Sequence, residues 1–133
     1  MRSIVLALLS LVGMPAYGTT LHHTPHRWGP PQFHIATVYS GECDGQTDKM
    51  ADGTTIDERH GGILIDRHGK HVDSHALASN FLPLGAHIRF SHPVYGSTEW
   101  TVRDSGGAFD LYVPKCRYGS WGNPNLEYRV RLH

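Results

Sequence analysis

Two aspartates, Asp104 and Asp110, stand at the edges of the run Val102-Arg103-Asp104-Ser105-Gly106-Gly107-Ala108-Phe109-Asp110-Leu111-Tyr112-Val113. Apolar alternation in Trp100 to Arg103 and in Ala108 to Val113 reads as strand. Gly106-Gly107 reads as a tight turn between them, because glycine reaches positive φ without a Cβ clash. In the second run Phe109, Leu111 and Val113 share one face, and Ala108, Asp110 and Tyr112 share the other. If the Phe/Leu/Val face lines a core, Asp110 points out of it beside Tyr112. A carboxyl on rigid strand backbone beside an aromatic ring can serve as an acid/base in sugar chemistry. The alternative is a turn aspartate that accepts from nearby backbone N–H groups.

Other residue types narrow the chemistry. Of 11 histidines, His68, His71 and His75 come nearest to ligand spacing, but no cysteine or acidic partner completes a metal site. His22, His23 and His26 form a second short tract, read as part of a disordered mature N-terminus. No metal and no cofactor is expected. The 2 cysteines, Cys43 and Cys116, are expected to pair in an exported chain. In the loop-entropy account that bridge contributes about 4 kcal/mol.

Export is read from the first 18 residues. A basic head (Met1-Arg2-Ser3), an apolar stretch from Ile4 to Val12 and small residues at Ala16 and Gly18 make a secretory signal peptide, too short for a membrane span. Cleavage before Thr19 leaves about 115 residues, one small domain, soluble and secreted or periplasmic. Formal net charge is zero, so no long-range field favours nucleic acid or an anionic membrane. A monomer without a membrane anchor is expected.

The elements that must position Asp110 are short strands. Residues 19–33 read as a disordered linker, with Pro25, Pro30 and Pro31 and no periodicity. Residues 34–133 form the domain. Strands are expected at His34–Tyr39, Thr54–Ile56, Ile63–Ile65, Ala86–Ser91, Glu99–Arg103, Ala108–Val113 and Leu126–Leu132. Arg67-His68-Gly69-Lys70 reads as a hairpin tip, Leu82-Pro83-Leu84-Gly85 as a turn, His71–Ser79 as mixed, and Lys115–Trp121 as one short helical turn. The fold class is all-β, a small closed barrel of about six strands, since closure hides sheet edges.

Several of these motifs follow one order. Ala36-Thr37-Val38-Tyr39-Ser40-Gly41, Met50-Ala51-Asp52-Gly53, Leu77-Ala78 with Leu82-Pro83-Leu84-Gly85, and Asp104-Ser105-Gly106-Gly107-Ala108 with Asp110-Leu111-Tyr112 resemble the double-psi β-barrels of rare lipoprotein A and the three-aspartate domain. Relatives of that group include the barrel of membrane-bound lytic transglycosylase A, expansins and barwin-like domains. Ser79 stands where the lipoprotein A group often has a histidine, and Arg59–His71 looks like an inserted hairpin. The resemblance implies a six-stranded double-psi β-barrel with short connecting helical turns. It implies an activity on peptidoglycan: cleavage of the bond between N-acetylmuramic acid and N-acetylglucosamine by attack of the sugar's own 6-hydroxyl. The catalytic aspartate of the group maps to Asp110, and its supporting aspartate to Asp104.

One carboxyl can serve such a reaction, first as acid and then as base. Asp110 would then carry a proton near neutral pH, favoured by burial against Tyr112 and by repulsion from Asp104. Tyr39, Tyr112 and Trp121 are candidate sugar-stacking rings, with Ser105 a further substrate contact; the rings are also of the type that fills cores. The expected partner is peptidoglycan or another wall glycan. The alternative function is an expansin-like glycan-binding or wall-loosening module without bond cleavage.

Overall fold

Leu77, Ile88, Val102 and Leu111 each sit between neighbours that point the opposite way, and in the computed structural model all four are fully buried in one core. The structure describes residues 26–40, 49–92, 96–114 and 121–132. Their strands are β1 (Arg27–Trp28), β2 (Gln32–Ile35), β3 (Thr37–Tyr39), β4 (Thr55–Asp57), β5 (Ile63–Ile65), β6 (His71–Val72), β7 (Ala76–Ala78), β8 (His87–His92), β9 (Gly96–Asp104), β10 (Asp110–Tyr112) and β11 (Asn125–Leu132). The chain is all-β. Among the described residues one 3-10 turn, Glu58–His60, is the sole helical piece, and no helix is long and apolar enough to cross a membrane.

The main sheet runs in the order β1-β11-β8-β9-β7-β10-β3, with β2 also on β11. β8 and β9 form an antiparallel hairpin; β7 lies parallel to β9 and antiparallel to β10; β3 lies parallel to β10. Only Ala36 separates β2, which pairs β11, from β3, which pairs β10. A smaller antiparallel sheet of β4, β5 and β6 stands apart from this path.

The two faces of the main sheet bury different clusters. One holds Leu77, Ile88, Phe90, Trp100, Val102, Phe109, Leu111 and Tyr128. The other holds Tyr39, Met50, Ala76, Ala78 and Tyr112, packed with Ile56 and Leu64 of the small sheet. Each fully buried Leu or Phe contributes about 1.5–3 kcal/mol. Ala76 and Ala78 leave room for the second layer to approach, and so β7 is buried on both sides.

Three sequence expectations change. Gly106-Gly107 does not join neighbouring strands: β7 is inserted between β9 and β10, so the chain crosses over it. The expected linker 19–33 is ordered in its described part. Trp28 is half-buried, with the Arg89 guanidinium 4.5 Å over its ring, and Gly29 N–H donates to Val130 O at 2.8 Å. Hydrogen bonding to the edge of β11, together with that aromatic contact, outweighs the flanking prolines. The mixed segment His71–Ser79 contains β6 and β7. The signal peptide 1–18, Cys43, Cys116 and the helical turn expected before Trp121 lie outside the described residues.

Candidate functional site

A bulge in β9 sets the geometry. Leu77 pairs with Val102, but the next residue of β7, Ala78, pairs with Asp104, so Arg103 is the extra residue. A regular register would have put Arg103 opposite Ala78 and turned Asp104 to the other face. Ala78 also pairs with Asp110, and Asp110 pairs with Thr37. Asp104, Ala78, Asp110 and Thr37 therefore form one row across β9, β7, β10 and β3. Paired residues share a face, and this is the face of Tyr39 and Tyr112, away from Phe109 and Leu111. Asp104 and Asp110 are two strand spacings apart, roughly 10 Å between Cα atoms. They flank a strand rather than meeting across a turn, so the close carboxyl pair expected from the Gly-Gly motif does not form through the backbone.

The two aspartates have different surroundings. Asp104 Oδ1 accepts from Ala51 N–H at 3.0 Å and Ser105 N–H at 2.9 Å, and its Oδ2 accepts from the Tyr39 hydroxyl at 3.3 Å. Ala51 is delivered by the Met50–Gly53 turn, which Gly53 closes at φ +94°. That turn is tied to β9 by Asp52 N–H to Arg103 O at 3.0 Å and by the Arg103–Asp52 ion pair at 3.2 Å. Asp110, half-buried, accepts the Thr37 hydroxyl at 2.8 Å on Oδ1. Gly107 lies against it: a Cβ there would stand 2.9 Å from Asp110 Cβ and 3.3 Å from its Oδ2.

Tyr39 links the pair electrostatically. Burial pushes its hydroxyl well above the ordinary phenol range, reinforced by the charge and hydrogen bond of Asp104 and then by the charge of Asp110. It stays protonated and acts toward Asp104 as a donor. Burial likewise raises the Tyr112 hydroxyl, with Glu58 adding to the effect, and that hydroxyl donates to Gly62 O at 2.6 Å.

Tyr39 and Tyr112 are not sugar-stacking platforms. They are 4% and 1% exposed, set edge-to-face with ring centroids 5.7 Å apart, beneath the small sheet. Trp121 packs against the inner cluster, on the opposite face from the Asp104–Asp110 row; its indole N–H donates to Ala36 O at 2.7 Å and its ring meets His92. Ser105 is exposed at the end of β9 and holds Asp104 through its backbone N–H. His75 packs on Trp100 with centroids 4.8 Å apart, and among the described residues no group of three His, Cys, Asp or Glu could hold a metal ion.

An exposed aromatic, Phe81 at 47%, lies on the Phe109 side of the sheet. Its ring stacks on His34 at 5.2 Å, and His34 stacks at 6.1 Å on Phe109, the residue before Asp110. The backbone carrying Phe81 is fixed by Ser79 Oγ, which accepts from Phe81 N–H at 3.2 Å and Leu82 N–H at 3.1 Å. Ser79 N–H itself donates to Asp104 O at 3.1 Å. Thr37, His34, Ala51 and Phe81 were given no role from sequence, and the one signal for Thr37 and Ala51 was their place in the Ala36–Gly41 and Met50–Gly53 motifs. No family model, curated protein or solved structure matches the chain.

Proposed function

We propose that this is an exported wall-acting protein that cleaves the N-acetylmuramic acid–N-acetylglucosamine bond of peptidoglycan without hydrolysis, with Asp110 as the single acid/base. The observation that carries the reading is the Asp104–Ala78–Asp110–Thr37 row on the sheet face opposite Phe109 and Leu111. It sets one carboxyl, oriented by a hydroxyl, across one intervening strand from a second that is held by two backbone N–H groups. Asp110 protonates the leaving glycosidic oxygen as the bond to C1 breaks. The 6-hydroxyl of the same muramic acid then attacks C1, and the Asp110 carboxylate takes its proton, restoring the acid and leaving a 1,6-anhydro product. Asp104 supports the site as a fixed carboxylate.

The strand order supports the six-stranded double-psi barrel. If β2 and β3 are one strand bent at Ala36, the pairings β2-β11, β11-β8, β8-β9, β9-β7, β7-β10 and β10-β3 make a ring of six. The insertion of β7 between β9 and β10 is compatible with the crossing that such a barrel needs.

An expansin-like binding module is the second reading, favoured by the short connection of residues 105–109 between the two aspartates. Mass spectrometry of muropeptides released from purified peptidoglycan separates the two. The wild type is expected to release anhydro-muropeptides, and Asp110→Asn to lose at least about 100-fold of that release with unchanged folding. Wild-type release by Asp110→Asn removes the role of this residue. No release by the wild type leaves the binding module.

A further inference from the structure

Apart from the aspartate row, the outer face of β2, β11 and β8 carries a second constellation. Arg129 and Arg89 are direct cross-strand partners. Like charges directly opposite each other in a sheet are destabilising. These two are nevertheless fixed side by side by the segment before β2: the Arg89 guanidinium lies 4.5 Å over the Trp28 ring, and Arg129 Nη1 donates to Gly29 O at 3.0 Å. A guanidinium has five donors, so these contacts orient each fork without exhausting it. Next to them Arg131 and His87 converge on Glu99, at 3.1 and 3.3 Å. Protonation of His87 is disfavoured by burial first and then by Arg131, with Glu99 opposing and Arg103 and His26 adding smaller effects.

The neighbouring row adds groups suited to sugar. Glu127 pairs with Phe33, which is 59% exposed. A concavity of about 460 Å3 lies between Arg89, Phe90, Ser91, Glu127, Tyr128 and Arg129. The footprint from Phe33 to the arginine pair is roughly 10 Å across the strands and 7 Å along them.

We infer that this face binds a glycan bearing carboxylate or phosphate groups, the arginine pair holding the oxyanion and Phe33 the apolar side of a sugar ring. Glu127 and Ser91 meet sugar hydroxyls. A carboxylate inside the site, with zero net charge overall, favours a substituted glycan over nucleic acid, which binds chiefly by unbroken positive charge. The inference does not depend on cleavage at Asp110.

The full chain is titrated calorimetrically with four probes: polygalacturonate, phosphomannan, neutral mannan and inorganic polyphosphate. Binding to polygalacturonate, to phosphomannan or to both is expected, and the preference identifies the oxyanion. Arg89→Gln with Arg129→Gln should weaken it about tenfold or more. Because those changes also loosen Trp28 and Gly29, the second variant is Phe33→Ser, at an exposed position; it should weaken glycan binding severalfold and leave the denaturation midpoint unchanged. Absence of binding to both acidic glycans overturns the inference. So does polyphosphate bound as tightly as the glycans, or Phe33→Ser binding them like the wild type.

Discussion

Gly107 offers a way to push on Asp110 without touching its charge. Its φ lies outside the left-handed region, so alanine is acceptable to the backbone there, but a Cβ would sit 2.9 Å from Asp110 Cβ and 3.3 Å from Oδ2. Carbon atoms pack at about 3.5–4.0 Å, so the aspartate must retreat by roughly half an ångström or more. Overpacking of this kind costs about 1–3 kcal/mol, and displacement of an acid by about 1 Å can cost on the order of 100-fold in rate. Gly106 next to it is the control. Its φ is +108° with open space around the missing Cβ, so alanine there strains the backbone by about 1–2 kcal/mol without meeting Asp110. The two variants should thus lose similar stability, read from urea midpoints, while only Gly107→Ala loses release of anhydro-muropeptides. Equal loss of release in both variants, or wild-type release by a folded Gly107→Ala, would refute the reasoning.

Three further outcomes follow from the same geometry. Tyr39→Phe removes the donor to Asp104 but leaves that carboxylate two backbone N–H groups, so it should cost about 1 kcal/mol; thermal unfolding checks this. Because the Tyr39 hydroxyl titrates above its unfolded value of 10.0, wild-type stability falls as pH rises past about 10, where only the unfolded chain releases that proton, and Tyr39→Phe should flatten that part of the stability–pH curve. The sign is opposite in direction for His87, whose affinity for a proton is lowered from the ordinary 6.5 by burial, then Arg131: stability is present above that value and is lost as pH falls below it, and His87→Gln should show a shallower acid slope in urea titrations. Gly62→Ala should be the most damaging glycine change, since φ is +79° and its Cβ would lie 2.8 Å from the Tyr112 hydroxyl and 2.9 Å from Pro114 O; a fall in the denaturation midpoint larger than that of Gly106→Ala is expected.

Alternation made β8, β9, β10 and β11 legible, because each has one face on the inner core. The same rule could not find β7. Ala-Leu-Ala has weak strand preference and is buried on both sides, so no contrast marks it. Its insertion between β9 and β10 is a non-local pairing that no local pattern encodes. The parity of Tyr112 turns it away from the inner core, as the structure has it, but parity gives a side and not what covers it. The cover is the small sheet of β4, β5 and β6, of which Arg59–His71 alone was read as an inserted hairpin. The bulge at Arg103 was also hidden, since a regular strand and a bulged one share the same sequence up to the residue that slips.

The two aspartates look equivalent in sequence, one at each edge of a Gly-Gly pair, and the fold makes them unequal. Asp104 gathers donors from three places: the Tyr39 hydroxyl at the end of β3, Ala51 N–H in the turn before β4, and Ser105 N–H at the exit of β9. A carboxylate used in this way is a fastener as well as a charge. Replacing it by Asn keeps an oxygen for the two backbone N–H groups but sets an NH2 opposite the Tyr39 hydroxyl, which must turn from donor to acceptor, and removes the charge that strengthens all three bonds. Asp110 accepts the Thr37 hydroxyl from β3 and lies against Gly107, contacts that orient its carboxyl. The proposed division of roles, proton transfer at Asp110 and support at Asp104, is therefore tested by comparing the two Asn variants: a change at Asp104 should be read in stability as well as in activity, since it touches the three bonds that join β3, the Ala51 turn and the end of β9.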